Sequence, residues 1–227
     1  ALQAILGAPN AGLLSGKHVL ITAGPTHEPI DPVRYIANRS SGKQGYAIAR
    51  AAQAAGAKVT LVSGPVDLAA PEGVALVSVQ TARQMQQAVI EALPADIAIM
   101  CAAVADWRAA HEADRKQKKD GSGKPAALEL TENPDILAYV AQQADPRPSL
   151  VIGFAAETDN LIDNATKKRL RKGCDWLIAN DVSQAGVMGG NHNTVHLIRD
   201  SGIEAWPQAG KQAVADRLMS EIIQHFQ

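Results

Sequence analysis

The chain has 227 residues, 46% of them hydrophobic, which is enough for a sizeable core in one α/β domain. Aromatics are only 4%, so Ala, Val, Ile and Leu must fill that core, which favours a sheet flanked by helices over an aromatic-rich sandwich. A formal net charge of -1 provides no general pull toward nucleic acid or a membrane surface.

Cys101 and Cys174 cannot build a disulfide framework, and Cys101 lies in the apolar run Ile97 to Ala103. Both are read as reduced thiols of a cytoplasmic protein. No stretch reads as a membrane span or a secretory signal. Residues 1–15 (ALQAILGAPNAGLLS) read as a linker-like segment ahead of a single domain over 16–227.

In chain order, the first β-rich run is His18–Thr22, followed by an unusually long connection over 24–42. Within it, Asp31-Pro32 reads as the cap and first turn of a short helix, which would put Arg34 and Asn38 on one face. A helix is expected from Lys43 to about Ala55, stopped by Gly56. Lys58–Val62 and Val74–Val79 read as the second and third strands. Thr81 can cap a helix through about Leu93, with Met85, Ala88, Val89 and Leu93 on its apolar face. Ile97–Ala102 is apolar throughout and is expected as a central fourth strand.

The pattern then breaks. Residues 107–127 are polar and rich in lysine, and enclose Asp120-Gly121-Ser122-Gly123-Lys124. Composition alone allows a solvated loop as readily as a lid. Asn133-Pro134 reads as a helix start. Leu150–Phe154 is the fifth strand, Thr158 is placed to cap a basic helix to about Lys172, and Trp176–Ala179 is the sixth strand. Val195–Arg199 and Ile203–Trp206 flank Asp200-Ser201-Gly202, a hairpin signal. An amphipathic helix from about Lys211 to Phe226 closes the chain. The alternation predicts an α/β fold. It is a Rossmann-like open, mostly parallel sheet with helices on both faces, a C-terminal hairpin and a flexible lid loop over about 107–127.

Ligands of such sheets bind at the carboxyl ends of the strands, here after Thr22, Ala102, Phe154 and Ala179. Ser40, Ser41, Gly42 and Gly45 lead into a helix, where small residues and free N–H groups suit an anion, although such turns also serve simply to start helices. The spacing fits neither G-x-G-x-x-G directly after a strand nor a P-loop, because Gln44 follows Gly42-Lys43. Asp106 is a lone carboxylate after small residues and reads equally as a turn aspartate. Lys116, Lys118 and Lys119 form a basic cluster. Lys168 and Lys172 lie one helical turn apart and either hold phosphates or favour their helix's C-terminal end.

The segments ITAGPTHEPIDPVRYIANRSSGKQG, CAAVADWR, NPDI, GFAAET and ANDVS occur in that order. In that order they resemble the phosphopantothenate–cysteine ligase (phosphopantothenoylcysteine synthetase) family, from about Lys17 to the C-terminus. The resemblance implies that 4'-phosphopantothenate is activated by CTP as an acyl-cytidylate, with pyrophosphate released. Cysteine then displaces CMP to give 4'-phosphopantothenoylcysteine for coenzyme A biosynthesis. It implies Mg²⁺ bound through the phosphates.

It further implies Asn38 and Lys116 as catalytic residues. Nucleotide contacts would come from Gly24, Ser40, Gly42, Gly45, Cys101, Ala102, Asp106 and Lys116. Asn133, Pro134, Asp135, Ile136, Phe154, Lys168, Lys172 and Asn180 would complete that set. Phosphopantothenate would meet Asn38, Ala102, Ala103 and Asp106, with Arg34 offered by the other subunit of a homodimer with shared sites. Many bacterial members are fused to an N-terminal flavin-dependent decarboxylase, which would carry FMN outside this chain. The lid reads DRKQKKDGSGKP, which departs from the family's usual K-[IM]-K-K, so Arg115 and Lys118 stand as alternatives to Lys116.

Overall fold

A computed structural model describes residues 12–118, 127–157, 160–181 and 192–227. Its centre is an eight-stranded sheet. The strands are β1 (His18–Ala23), β4 (Lys58–Ser63), β5 (Ala75–Ser78), β6 (Ile97–Met100), β9 (Leu150–Glu157), β10 (Trp176–Asp181), β12 (Val195–Arg199) and β13 (Gly202–Ala205). Their spatial order is β13-β12-β10-β9-β6-β1-β4-β5. The six strands from β5 to β10 are parallel, and β12 and β13 add the expected antiparallel hairpin. Taken alone, the parallel strands follow the Rossmann order, with the reversal between β1 and β6.

Helices cover both faces. On one, α1 (Lys43–Ala54) and α5 (Lys211–His225) bury Ile48, Ala52, Leu218 and Ile222 against Val19, Ile21 and Ile99. On the other lie α2 (Ala82–Ala92), α3 (Ile136–Gln142) and α4 (Leu161–Lys172). They bury Met85, Val89, Val140 and Ala165 against Leu20, Ala98, Val151 and Leu177. Successive residues of each strand thus feed opposite cores, as a sheet covered on both sides requires. Thr81 caps α2 in a reciprocal capping box with Gln84.

Two local expectations are corrected. Asp31-Pro32 does not start a helix: β2 (His27–Asp31) and β3 (Arg34–Ala37) form an antiparallel ribbon with Pro32-Val33 at its tip. Asp31 Oδ1 accepts the N–H groups of Val33 and Arg34, a turn that uses the same local bonding as a helix cap. Asn133 is not the cap of α3; Asp135 is, accepting the N–H of Ala138. Asn160, in the left-handed region at φ 43° and without a side-chain cap bond, precedes α4. The capping expected of Thr158 falls outside the described residues. The segment expected as a lid, about 107–127, opens on a short strand. β7 (Trp107–Ala109) pairs with β8 (Leu130–Glu132), while Asp120 to Lys124 lie outside the described residues.

Candidate active site

A cavity of about 850 Å³ opens over the carboxyl ends of β1, β6, β9 and β10, at the switch between β1 and β6. Two buried threonines shape its floor. Thr22 Oγ1 accepts from the N–H of Ala102 at 3.2 Å, and Thr26 Oγ1 accepts from the N–H of Ala105 at 3.0 Å. The 101–105 segment is thereby held with Cys101, Ala102, Ala103 and Val104 lining the cleft. Burial pushes the Cys101 thiol up to about 12, partly offset by the Lys211 charge, so this cysteine is no thiolate nucleophile.

One wall is the 38–45 segment. Gly42 caps α1 at φ 70°, a left-handed geometry that glycine adopts without strain. Gly45 lets α1 approach β1: a Cβ there would lie 2.5 Å from that of Ala23. Asn38 donates from Nδ2 to the Val104 carbonyl at 2.9 Å, tying this wall to the floor. The opposite wall is built by Asn133, whose Nδ2 donates to the Ala105 carbonyl at 2.8 Å and whose N–H donates to the Asp106 carbonyl at 2.9 Å. Asp135 both caps α3 and pairs with Lys172, so that cation is already engaged at the cleft edge.

Of the residues singled out from the sequence, the cleft brings together Asn38, Ser40, Gly42, Gly45, Cys101, Ala102, Ala103 and Asp106. It also gathers Asn133, Pro134, Asp135, Ile136, Phe154, Lys168, Lys172 and Asn180. Three do not line it. Gly24 lies beneath, where its carbonyl accepts from the N–H of Ala103 at 2.9 Å. Lys116 is exposed on the segment after β7. Arg34 is turned to the ribbon, its Nε donating to Asp31 Oδ2 at 3.0 Å and its Nη2 to the Gln117 carbonyl at 3.1 Å.

Sequence reading passed over Lys43, Gln44 and Lys211, which also line the cleft. Lys211 could not have been found locally, since it arrives from α5, far along the chain. Among the described residues, no group of three or more His, Cys, Asp or Glu could hold a metal ion.

The open Rossmann-ordered sheet and the polar cleft at its switch point define an α/β protein with a candidate small-ligand site at the strand ends. Residues 14–226 match the family described as DNA/pantothenate metabolism flavoprotein C-terminal domain, and the chain belongs to that family. It is 47% identical over 216 residues to the coenzyme A biosynthesis bifunctional protein CoaBC of Escherichia coli, covering 94% of this chain and 53% of that protein. Against the same-named protein of Vibrio cholerae, identity is 47% over 209 residues, covering 91% and 52%. A crystal structure of the C-terminal domain of CoaBC superposes with a TM-score of 0.80 at 39% identity, covering 95% of this chain and 98% of that one. The chain therefore spans about half the length of the curated relatives it matches. Among the described residues, no helix is long and apolar enough to cross a membrane.

Proposed function

We propose that this domain joins 4'-phosphopantothenate to L-cysteine in coenzyme A biosynthesis, with CTP as the activating nucleotide. The carrying observation is convergence. Segments scattered from Asn38 to Asn180, those that resemble the ligase family, line one cleft at the sheet's switch point. The relatives' names, coenzyme A biosynthesis bifunctional proteins, support the same reading.

A carboxylate is a poor electrophile until one of its oxygens joins a good leaving group. In the first step a carboxylate oxygen of phosphopantothenate attacks the α-phosphorus of CTP, and pyrophosphate departs. In the second, the cysteine amine attacks the acyl carbonyl, loses a proton and expels CMP. Lys168 and Lys172 supply positive charge at the cleft edge, and Lys116 adds more when its segment approaches. Asn38 holds the acyl group through its amide donor. Mg²⁺ would neutralise the phosphates.

Arg34 is absent from its own chain's cleft, which supports its service to a second subunit of a homodimer. Val33 and Tyr35, 60% and 54% exposed on the same ribbon, offer apolar surface for that contact. The half-length match supports fusion to an N-terminal, FMN-dependent decarboxylase, and the whole is read as cytoplasmic.

The test is pyrophosphate release from CTP or ATP, with and without each co-substrate. Release that requires phosphopantothenate but not cysteine, and prefers CTP, is expected. Release without phosphopantothenate, or none at all, overturns the reading.

A further inference from the structure

On the 38–45 wall, Lys43 and Gln44 have no role in the site described so far, and Lys211 joins them from α5. Lys43 opens α1 and Lys211 opens α5, and both side chains line the cavity. Gln44 links the two helix starts, donating from Nε2 to the Lys211 carbonyl at 3.1 Å. That bond identifies the other amide atom as oxygen. Gln44 is only 8% exposed, and its Oε1 is buried with no partner among the described residues. Asn180 Oδ1, also at the cleft, is likewise buried with no partner among the described residues. Neither helix start receives a side-chain cap bond, for Gly42 and Gly210 occupy the cap positions. The N-terminal ends of both helices add partial positive charge beside the two lysines.

Lys211 is half-buried. Burial, and then the neighbouring Lys43 charge, lower its pKa from the usual lysine value, while Cys101 acts the other way. Burial beside a like charge disfavours the charged form of Lys211, and an added anion would offset that. The buried oxygens have the complementary need, a hydroxyl or amine donor.

We propose that Lys211, with Lys43, seats a phosphoryl group of the cleft's ligand, and that Gln44 and Asn180 accept hydrogen bonds from hydroxyl groups of that ligand. The identity of the ligand rests on the ligase reading. CTP and 4'-phosphopantothenate both carry phosphate and hydroxyl groups, so the experiment separates them. Equilibrium affinities are measured for inorganic pyrophosphate, CTP, 4'-phosphopantothenate, cytidine and pantothenate with the wild-type chain, Lys211→Gln and Lys211→Arg.

Lys211→Gln should weaken at least one phosphorylated ligand about tenfold, the scale of one charge-assisted hydrogen bond. Lys211→Arg should keep most of the affinity, and cytidine and pantothenate should be unaffected. Loss confined to pyrophosphate and CTP puts the departing phosphates on this wall; loss confined to 4'-phosphopantothenate puts its phosphate there. If Lys211→Gln lowers the melting temperature, Lys43→Gln carries the same expectation. Unchanged affinity for every phosphorylated ligand, in a variant that melts like the wild type, overturns the seat even if the enzyme is an active ligase. Pyrophosphate binding that depends on Lys211 in a chain that releases none from CTP overturns the ligase reading and keeps the seat.

Discussion

The carbonyl of Gln117 accepts a hydrogen bond from Arg34 Nη2 at 3.1 Å, and its N–H donates to Asp31 Oδ2 at 3.1 Å. The residue beside Lys116 is thus fastened to the tip of the β2–β3 ribbon, which accounts for the position of Lys116 outside the cleft. Movement of Lys116 toward a nucleotide would pull on these two Gln117 bonds, each charge-assisted by its ionised partner, and phosphate contacts to Lys116 would offset their loss. Lys116→Gln should slow acyl-cytidylate formation by about 100-fold or more, the scale of one lost transition-state charge contact. Quenched reactions without cysteine measure it. Wild-type formation by the variant would transfer the role to Lys118 or Arg115.

Asn38 should affect the other half-reaction. Its amide donates to the Val104 carbonyl at 2.9 Å and sits where the floor and the α1 wall meet. Asn38→Asp removes the donor and brings like charge toward an anionic intermediate. Acyl-cytidylate should form and accumulate, with its conversion by cysteine slowed. Mass analysis of quenched mixtures would reveal it. Absence of both intermediate and product would move Asn38 to the first step.

Asp31 predicts an acid limit. Arg34 holds this carboxyl well below the usual carboxylate range, against the opposing effect of burial and with help from the N–H groups of Val33, Gln117 and Arg34. A carboxyl depressed in the folded state stabilises fully above its unfolded value, about 3.9, and loses that contribution as pH falls below it. Urea midpoints should therefore fall more steeply with acid below about pH 4 in the wild type than in Asp31→Asn. Equal acid dependence would remove Asp31 from the account.

Most of the sheet was legible because each strand is a short apolar run bounded by turn residues, and each long helix carries an apolar stripe. β1, β6, α2 and the β12–β13 hairpin lie within a residue or two of where the sequence put them. The ribbon was not legible. Asp31 bonds to the N–H groups two and three residues ahead in an Asx turn just as a helix cap would, so the local pattern does not discriminate. Pairing of β2 with β3 decides it, reinforced by His27 stacked on Tyr35 at 4.1 Å. Asn133 misled in the same way. Its amide is drawn to the Ala105 carbonyl by a tertiary contact, leaving Asp135 to cap α3. The cleft's motif residues were visible from the resemblance, whereas Thr22, Thr26 and Lys211 matter through partners distant in sequence.

Arg34 allows the shared-site reading to be tested directly. In its own chain the guanidinium is paired with Asp31 and does not line the cleft that Asn38 lines. A half-exposed arginine in such a pair, with no further duty, would contribute little to stability and leave activity untouched. An arginine lent to a partner would instead grip a phosphate with two parallel hydrogen bonds, and its removal would cripple the neighbour's site. Arg34→Ala and Asn38→Asp chains should each be poorly active alone. In a mixed dimer, one site combines an intact Arg34 from one chain with an intact Asn38 from the other, while the second site has neither. Co-expression should restore up to about half the wild-type activity per dimer, the count expected when two equivalent sites are each built from both subunits. Purification through two different affinity tags isolates the mixed species. Mixed dimers that form and stay inactive would show that Arg34 serves its own chain, and full activity of Arg34→Ala alone would reduce it to a surface ion pair.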